Sequence, residues 1–232
     1  MKFMLGMVLC AVLLTTTVVA AENQELKTQK DKVSYVVGLQ MGNSLKNNTI
    51  DVNLDILVRG IKDAISGAKP LMAEQEMRET IMALQKDLQA KQQEKVKALS
   101  EKNKKEGEAF LAENKKKQGV ITMPSGLQYK ILTDGKGKSP KATDTVTVNY
   151  KGTLIDGTEF DSSYNRGEAA TLPVGGGMIK GWTEALQLMK EGSKWQLFIP
   201  SNLAYGERGV AGAIGPNAVL IFEVELISIK KQ

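Results

Sequence analysis

Asp161 follows the aromatic Phe160 directly, against what reads as an apolar sheet. A carboxylate there needs a partner, because an unpaired charge taken out of water is costly. Arg166 is the available partner, and the pair can be purely structural or part of a site. The aromatic residues Tyr150, Trp182, Tyr205 and Phe222 stand in the same half of the chain. Taken singly, Tyr150 and Phe222 on alternating strands and Trp182 in a short helix read as core aromatics before they read as site residues. What is missing narrows the chemistry. The chain has no histidine, which removes the commonest general base and the commonest zinc ligand. The one cysteine, Cys10, leaves no disulfide framework, no Cys/His metal site and no thiol nucleophile. Asp51-Val52-Asn53-Leu54-Asp55 starts like a calcium loop, but Ile56 stands where the loop needs glycine and Lys62 where it needs glutamate. Asp51 or Asn53 is better read as a helix N-cap. No metal and no cofactor are expected, so an enzyme of this composition works without the usual acid–base and nucleophile groups.

The elements that must position these residues follow from patterning. The 232 residues suffice for one large domain or two small ones, and the apolar fraction of 42% supports a core. The net charge of +5 comes largely from lysine clusters such as Lys115, Lys116 and Lys117. These alternate with glutamates in a region nearly free of aromatics, so they read as a solvated face and no nucleic-acid partner is expected.

Residues 1–21 read as a signal peptide: Met1-Lys2 supplies a positive start, Phe3 to Leu14 is almost wholly apolar, and Ala20-Ala21 suits the peptidase. The apolar run is shorter than the roughly 20 residues a spanning helix needs. No stable membrane span is expected after cleavage; an uncleaved anchor is the alternative. Cleavage would also leave the chain without cysteine, in keeping with an oxidising compartment.

Residues 22–70 read as a small helical unit. Val33, Val36, Val37 and Met41 share one face, while Ser34, Gly38 and Gly42 form a stripe of small residues that lets another helix approach closely. Leu54, Leu57, Val58, Ile61 and Ile65 mark a second helix, ended by Ser66-Gly67 and Pro70. About 50 residues bury too little surface alone, and homodimerisation through these helices is the simplest remedy.

Residues 71–118 hold no proline and one glycine, Gly107, and are rich in Glu, Lys, Gln and Ala. Asp87/Lys91, Glu101/Lys105 and Glu113/Lys117 are favourable i,i+4 pairs. The expectation is a long connecting helix, a solvent-exposed stalk of roughly 70 Å at about 1.5 Å per residue. Disorder is the competing reading of so charged a run.

From residue 119 to 232 the period changes to two. Gln128–Leu132, Thr145–Tyr150, Lys194–Ile199 and Val219–Ile229 read as strands. Ile155-Asp156-Gly157-Thr158 reads as a type I′ hairpin turn, and Ile179–Met189 as one short amphipathic helix. The fold class expected is α+β: an antiparallel sheet wrapped on a short helix, preceded by an all-α N-terminal unit and a long linking helix.

From Gly126 to Lys230 the chain resembles the FK506-binding (FKBP) family of peptidyl-prolyl cis/trans isomerases. The segments that carry the resemblance are Val146-Thr147-Val148-Asn149-Tyr150-Lys151-Gly152, Asp156 to Ser163 with Arg166, and Ile179-Lys180-Gly181-Trp182. Glu184-Ala185-Leu186, Ala204-Tyr205-Gly206 and Leu220 to Leu226 complete it. The whole layout resembles the macrophage infectivity potentiator (Mip) group, which implies homodimers in the Gram-negative envelope, in the periplasm or at the outer membrane and cell surface.

The resemblance implies a substrate-binding pocket lined by Tyr150, Phe160, Asp161, Met178, Ile179, Trp182, Tyr205, Ile214 and Phe222, with Arg166 holding Tyr150 and Asp161. Catalysis would rest on Asp161, Tyr205, Phe222, Tyr150 and Trp182. Trp182 would floor the site, and the Ile179 N–H would take a substrate carbonyl. The partners implied are prolyl polypeptides and FK506- or rapamycin-type inhibitors. Two departures bear on the pocket: Ala170 stands where many members carry an aromatic, and Gly175-Gly176-Gly177 precede Met178. Three functions suit this layout: an isomerase that speeds prolyl-limited folding of exported proteins, a dimeric holdase chaperone, and a host-surface binding protein with little turnover.

Overall fold

A computed structural model describes residues 25–230; the expected signal peptide and Cys10 lie outside them. The chain divides into a helical unit ending at Glu74 and a second unit, Gln75–Gln232.

The helical unit holds α1 (Gln29–Asn47) and α2 (Leu54–Ser66). Thr28 and Asp31 form a reciprocal capping box at the start of α1, each side chain accepting from the other's backbone N–H at 3.1 and 2.9 Å. Asn53 is the N-cap of α2, its side chain accepting from Asp55 and Ile56 N–H. Gly67 closes that helix in the left-handed region. Neither helix buries a single residue. Val33, Val36 and Val37 on α1 and Leu54, Ile56 and Ile65 on α2 are all more than half-exposed or close to it.

The second unit opens with α3 (Glu74–Asn114), followed by β1 (Val120–Thr122), β2 (Gln128–Thr133), β3 (Thr145–Leu154), β4 (Glu159–Ser162), α4 (Ser163–Arg166), β5 (Ala170–Pro173), α5 (Lys180–Leu188), β6 (Lys194–Ile199) and β7 (Leu220–Lys230). The seven strands form one antiparallel sheet in the order β1-β2-β6-β7-β3-β4, with β5 also pairing β3. β3 and β7 make the spine, paired from Thr145/Lys230 to Leu154/Leu220 with one register shift between Thr147 and Val148. Alternation is clean on β3: Val146, Val148 and Tyr150 point into the core while the residues between are half-exposed. α5 lies on that inner face, and Trp182, Ala185, Leu186 and Met189 join Leu197, Ile199, Leu220, Phe222 and Val224 in one core cluster.

Three expectations change. The turn after β3 is not type I′. Gly157 N–H donates to Leu154 O and Leu154 N–H to Thr158 O, with Gly157 alone in the turn at positive φ (88°). That is a type I turn closed by a glycine bulge, which places the φ > 0 requirement on glycine only. Next, α3 is not exposed throughout. Gly107 and Asn114 are buried, and the Phe110 and Phe198 rings pack with centroids 6.0 Å apart. Buried Asn114 donates to Gln128 Oε1, and Gln128 donates to Leu111 O. The last turns of α3 are thus docked on the sheet. Finally, Asp87 does pair Lys91 at 2.8 Å, but Glu113 pairs Lys116 at 2.7 Å, while Lys117 lies over the Phe110 ring at 5.6 Å.

Candidate active site

At one end of β3 and β7 the sheet curls over the start of α5 and leaves a cavity of about 470 Å³. Tyr150, Asp161, Leu172, Met178, Ile179, Trp182, Tyr205 and Phe222 line it, with Gly177, Lys180 and Ala204 at its edge.

The aromatic walls lock by edge-to-face packing. Phe222 is the hub: its ring meets Trp182 at 5.2 Å and 86°, Phe160 at 5.4 Å and 89°, and Tyr150 at 6.3 Å and 59°. Tyr150 and Trp182 meet at 5.2 Å and 89°. Such pairs each add roughly 0.5–1.5 kcal/mol beyond burial. Register explains the arrangement. Gly152 on β3 faces Phe222 of β7 on one side and Asp161 of β4 on the other. A Cβ at Gly152 would lie 2.6 Å from Phe222 Cε1 and 2.8 Å from Phe160 Cζ, so the missing side chain is the space the two rings occupy.

The polar wall is a three-way network. Tyr150 Oη donates to Asp161 Oδ2 at 2.6 Å. Arg166, on the short α4, donates to Asp161 Oδ1 at 2.6 Å and to Tyr150 Oη at 2.7 Å. Its guanidinium also lies 5.3 Å from the Tyr150 ring centroid. Burial, and then the bond to the Asp161 carboxylate, push the Tyr150 phenol up from its ordinary range. At Asp161 burial works against the charged form, but the hydrogen bonds from Tyr150 and Arg166 outweigh it and hold the carboxyl below its ordinary range. Asp161 is therefore an anion and Tyr150 a neutral donor across the middle pH range.

Two donors in the site have no acceptor among the described residues. The Ile179 N–H, at the N-cap of α5, bonds to no described group. The Trp182 indole Nε1 is buried and unpartnered. A donor left without an acceptor costs about 1–3 kcal/mol, which a bound carbonyl can recover at the Ile179 N–H.

Of the residues expected from the sequence, Tyr150, Asp161, Met178, Ile179, Trp182, Tyr205 and Phe222 border this one cavity. Three stand behind it. Phe160 backs Phe222, Arg166 braces Asp161 from outside, and Ile214 is 6% exposed in the core cluster. Leu172, Lys180 and Ala204 border the cavity without having been singled out as lining. Leu172 lies on β5, two residues from Ala170 and on the same face, opposite Val146 of β3. It gives that side a wall where Ala170 itself is too small. The glycine-rich loop leaves β5 tied down: Val174 N–H donates to Asp144 O, and Val174 O accepts from Thr183 Oγ1.

Two family models match the chain. Residues 30–131 match the domain amino terminal to FKBP-type peptidyl-prolyl isomerase, and residues 136–227 match the FKBP-type peptidyl-prolyl cis-trans isomerase. The chain belongs to the FKBP-type peptidyl-prolyl cis-trans isomerase family. Within it, the outer membrane protein MIP of Legionella longbeachae is 49% identical over 218 residues, covering 94% of this chain and 93% of that protein. The peptidyl-prolyl cis-trans isomerase Mip of Coxiella burnetii is 46% identical, covering 95% and 94%. The crystal structure of FkpA from Escherichia coli superposes with a TM-score of 0.71 at 40% identity, covering 89% of this chain and 99% of that one. The first family match runs through β1 and ends inside β2, past the point where the sheet begins.

Proposed function

We propose that this chain catalyses cis/trans isomerisation of X–Pro bonds in exported polypeptides and so assists folding in the cell envelope. The observation that carries this is the cavity itself: a Trp182 floor between Tyr150 and Phe222, one anchored carboxylate, and a free Ile179 N–H. The X–Pro bond is held planar by resonance behind a barrier of about 18–20 kcal/mol. Resonance places negative charge on the carbonyl oxygen. An apolar site that strips water from that oxygen disfavours the charge-separated planar form and so lowers the barrier to twisting. No bond to a leaving group breaks, so neither nucleophile nor general base is needed, in keeping with a chain that has no histidine. Rings set at right angles select the shape of the twisted prolyl unit, which is differential binding of the transition state. Asp161, Tyr205, Phe222, Tyr150 and Trp182 form the catalytic set. Phe160, Arg166 and Ile214 support it, and Met178 and Ile179 bind substrate. FK506- and rapamycin-type molecules compete for the same cavity.

The reading extends to a homodimer joined through the helical unit, residues 22–70. Its support is that α1 and α2 bury no residue while their apolar faces stand open. A Cβ added at Gly38 or Gly42 would meet nothing within 4 Å, so that stripe has room for a second helix. Among the described residues no helix is long and apolar enough to cross a membrane. Export to the periplasm or the outer membrane rests on the Met1–Ala21 pattern and on the outer-membrane name of the Legionella relative. The same open apolar faces favour a second role, a holdase that clamps unfolded clients. Separating the two takes D161A and F222A in one assay of peptide isomerisation and another of aggregation suppression. Loss of both activities together assigns both to the pocket; loss of the first alone assigns holding to the helical unit.

A further inference from the structure

Most residues of the cavity sit on the sheet or on α5, but Tyr205 does not. It lies on the loop 204–219, between the 3-10 turn Ser201–Leu203 and β7, where it is 42% exposed and its hydroxyl bonds to no described group. What holds that loop is therefore what places Tyr205. Inside the loop Val210 and Ile214 bridge, and Asn217 N–H donates to Gly206 O at 2.8 Å, closing the loop next to Tyr205. The closure depends on Asn217 adopting a left-handed backbone, φ 55°, one of two non-glycine residues among those described to do so.

The support for that closure comes from α3. Asn103 Nδ2 donates to Pro216 O at 2.8 Å, and Asn217 Nδ2 donates to Ser100 Oγ at 2.8 Å. These bonds span 113 and 117 residues of sequence, so neither is a by-product of local chain folding. The helix surface is shaped for the contact: a Cβ at Gly107 would lie 2.7 Å from Val219 Cγ2. A continuous path thus runs from Ser100 and Asn103 through Pro216 and Asn217 to the Gly206 carbonyl and the Tyr205 rim.

The geometry points to Ser100 and Asn103, on the helix that precedes the isomerase sheet, as positioning residues that fix the Tyr205 rim and so set affinity for the prolyl ligand. The inference rests on the assignment of Tyr205 to the prolyl site. Neither residue lines the cavity, so their removal reaches the prolyl ligand only through the Tyr205 rim.

The test uses residues 22–232 and an uncoupled peptide assay that resolves kcat from KM. Variants S100A and the double change S100A/N103L remove the tether, and S100T restores a hydroxyl at the same place. F110A loosens the same helix–sheet contact at Phe198, away from the loop. Y205A reports on the underlying assignment. We expect S100A/N103L to raise KM about threefold to tenfold, as suits one or two lost neutral hydrogen bonds, with a smaller fall in kcat, because Tyr205 shifts while the Trp182, Tyr150 and Phe222 rings keep their packing. S100T should keep the parent KM, and F110A should lower the thermal midpoint without moving KM. An unchanged KM in S100A/N103L beside a raised KM in Y205A would overturn the positioning role. So would an equal rise of KM in F110A. No effect in Y205A would instead remove the assignment of Tyr205 on which the inference stands.

Discussion

The Tyr150 hydroxyl donates to the Asp161 carboxylate at 2.6 Å, and Arg166 grips both from behind. The two residues come from neighbouring strands, β3 and β4, so the bond fixes a polar wall against an otherwise aromatic cavity. Removing the carboxylate takes the acceptor from the Tyr150 hydroxyl and the counter-charge from Arg166, which keeps only its bond to Tyr150 Oη. D161A should lower kcat/KM about tenfold to a hundredfold, the range set by hydrogen bonds to a charged group. The stability cost should be below about 1 kcal/mol, because the Asp161 and Arg166 side chains are 43% and 46% exposed and solvent screens them. Steady-state rates beside a thermal melt check both. A variant that melts far below the parent would mean the network holds the fold more than the site.

The fit of Gly152 between Phe160 and Phe222 gives a sharper prediction. A methyl at Gly152 has no room, so G152A should cost about 1–3 kcal/mol by overpacking and displace the Phe222 ring from Trp182. F222A removes the hub instead and should cost about 3–5 kcal/mol, as a buried aromatic truncation does. Both should lose isomerase activity. Denaturant unfolding together with tryptophan fluorescence separates the two effects, and full activity in G152A would contradict the packing argument.

The pH profile should be flat where a histidine enzyme's would bend. The Asp161 pKa is depressed in the folded state, so its contribution is present above the unfolded value and lost as pH falls below about 4. The Tyr150 pKa is raised, so its contribution is present below the unfolded value and lost only as pH rises above about 10. kcat/KM in an uncoupled assay should therefore hold constant from about pH 5 to 9. An inflection near pH 6.5 would reveal a titrating group that this site does not contain.

Deleting residues 22–70 should separate assembly from chemistry. The deletion removes α1 and α2, whose open faces are the proposed dimer interface, so the truncated chain should sediment as a monomer. Turnover of a short prolyl peptide should persist within about twofold, whereas suppression of client aggregation should fall with the loss of bivalent capture. A truncated chain that stays dimeric would place the interface elsewhere.

How much of this was legible depended on whether a segment carried its own signal. β3, β6 and β7 alternate strongly and were readable from Val146, Val148, Tyr150, Leu197, Phe222 and Val224. The N-caps of α1 and α2 are local, and Asn53 was readable as one of two candidates. β4 and β5 were not, because each has four residues and exists only by pairing with β3. Leu172 was overlooked as a cavity wall for that reason. The turn at Asp156-Gly157 was read as type I′ from its dipeptide, but a single left-handed glycine satisfies the strands. The charged surface of α3 concealed its docked end, since Ser100, Asn103, Gly107 and Asn114 look like ordinary polar helix residues until their partners, more than a hundred residues away for the first two, are brought in. The aromatic set was legible as a site only through the family resemblance: from the residues alone, register and ring packing are needed to distinguish a cavity wall from a core.

The most direct test of the central claim is an uncoupled isomerisation assay on a short X-Pro peptide with purified residues 22–232, repeated with FK506. Fast turnover that FK506 blocks, and that D161A and F222A lose, is the result expected of the cavity over Trp182. A well-folded protein with no turnover would contradict it, and would assign the chain's work to holding clients rather than isomerising them.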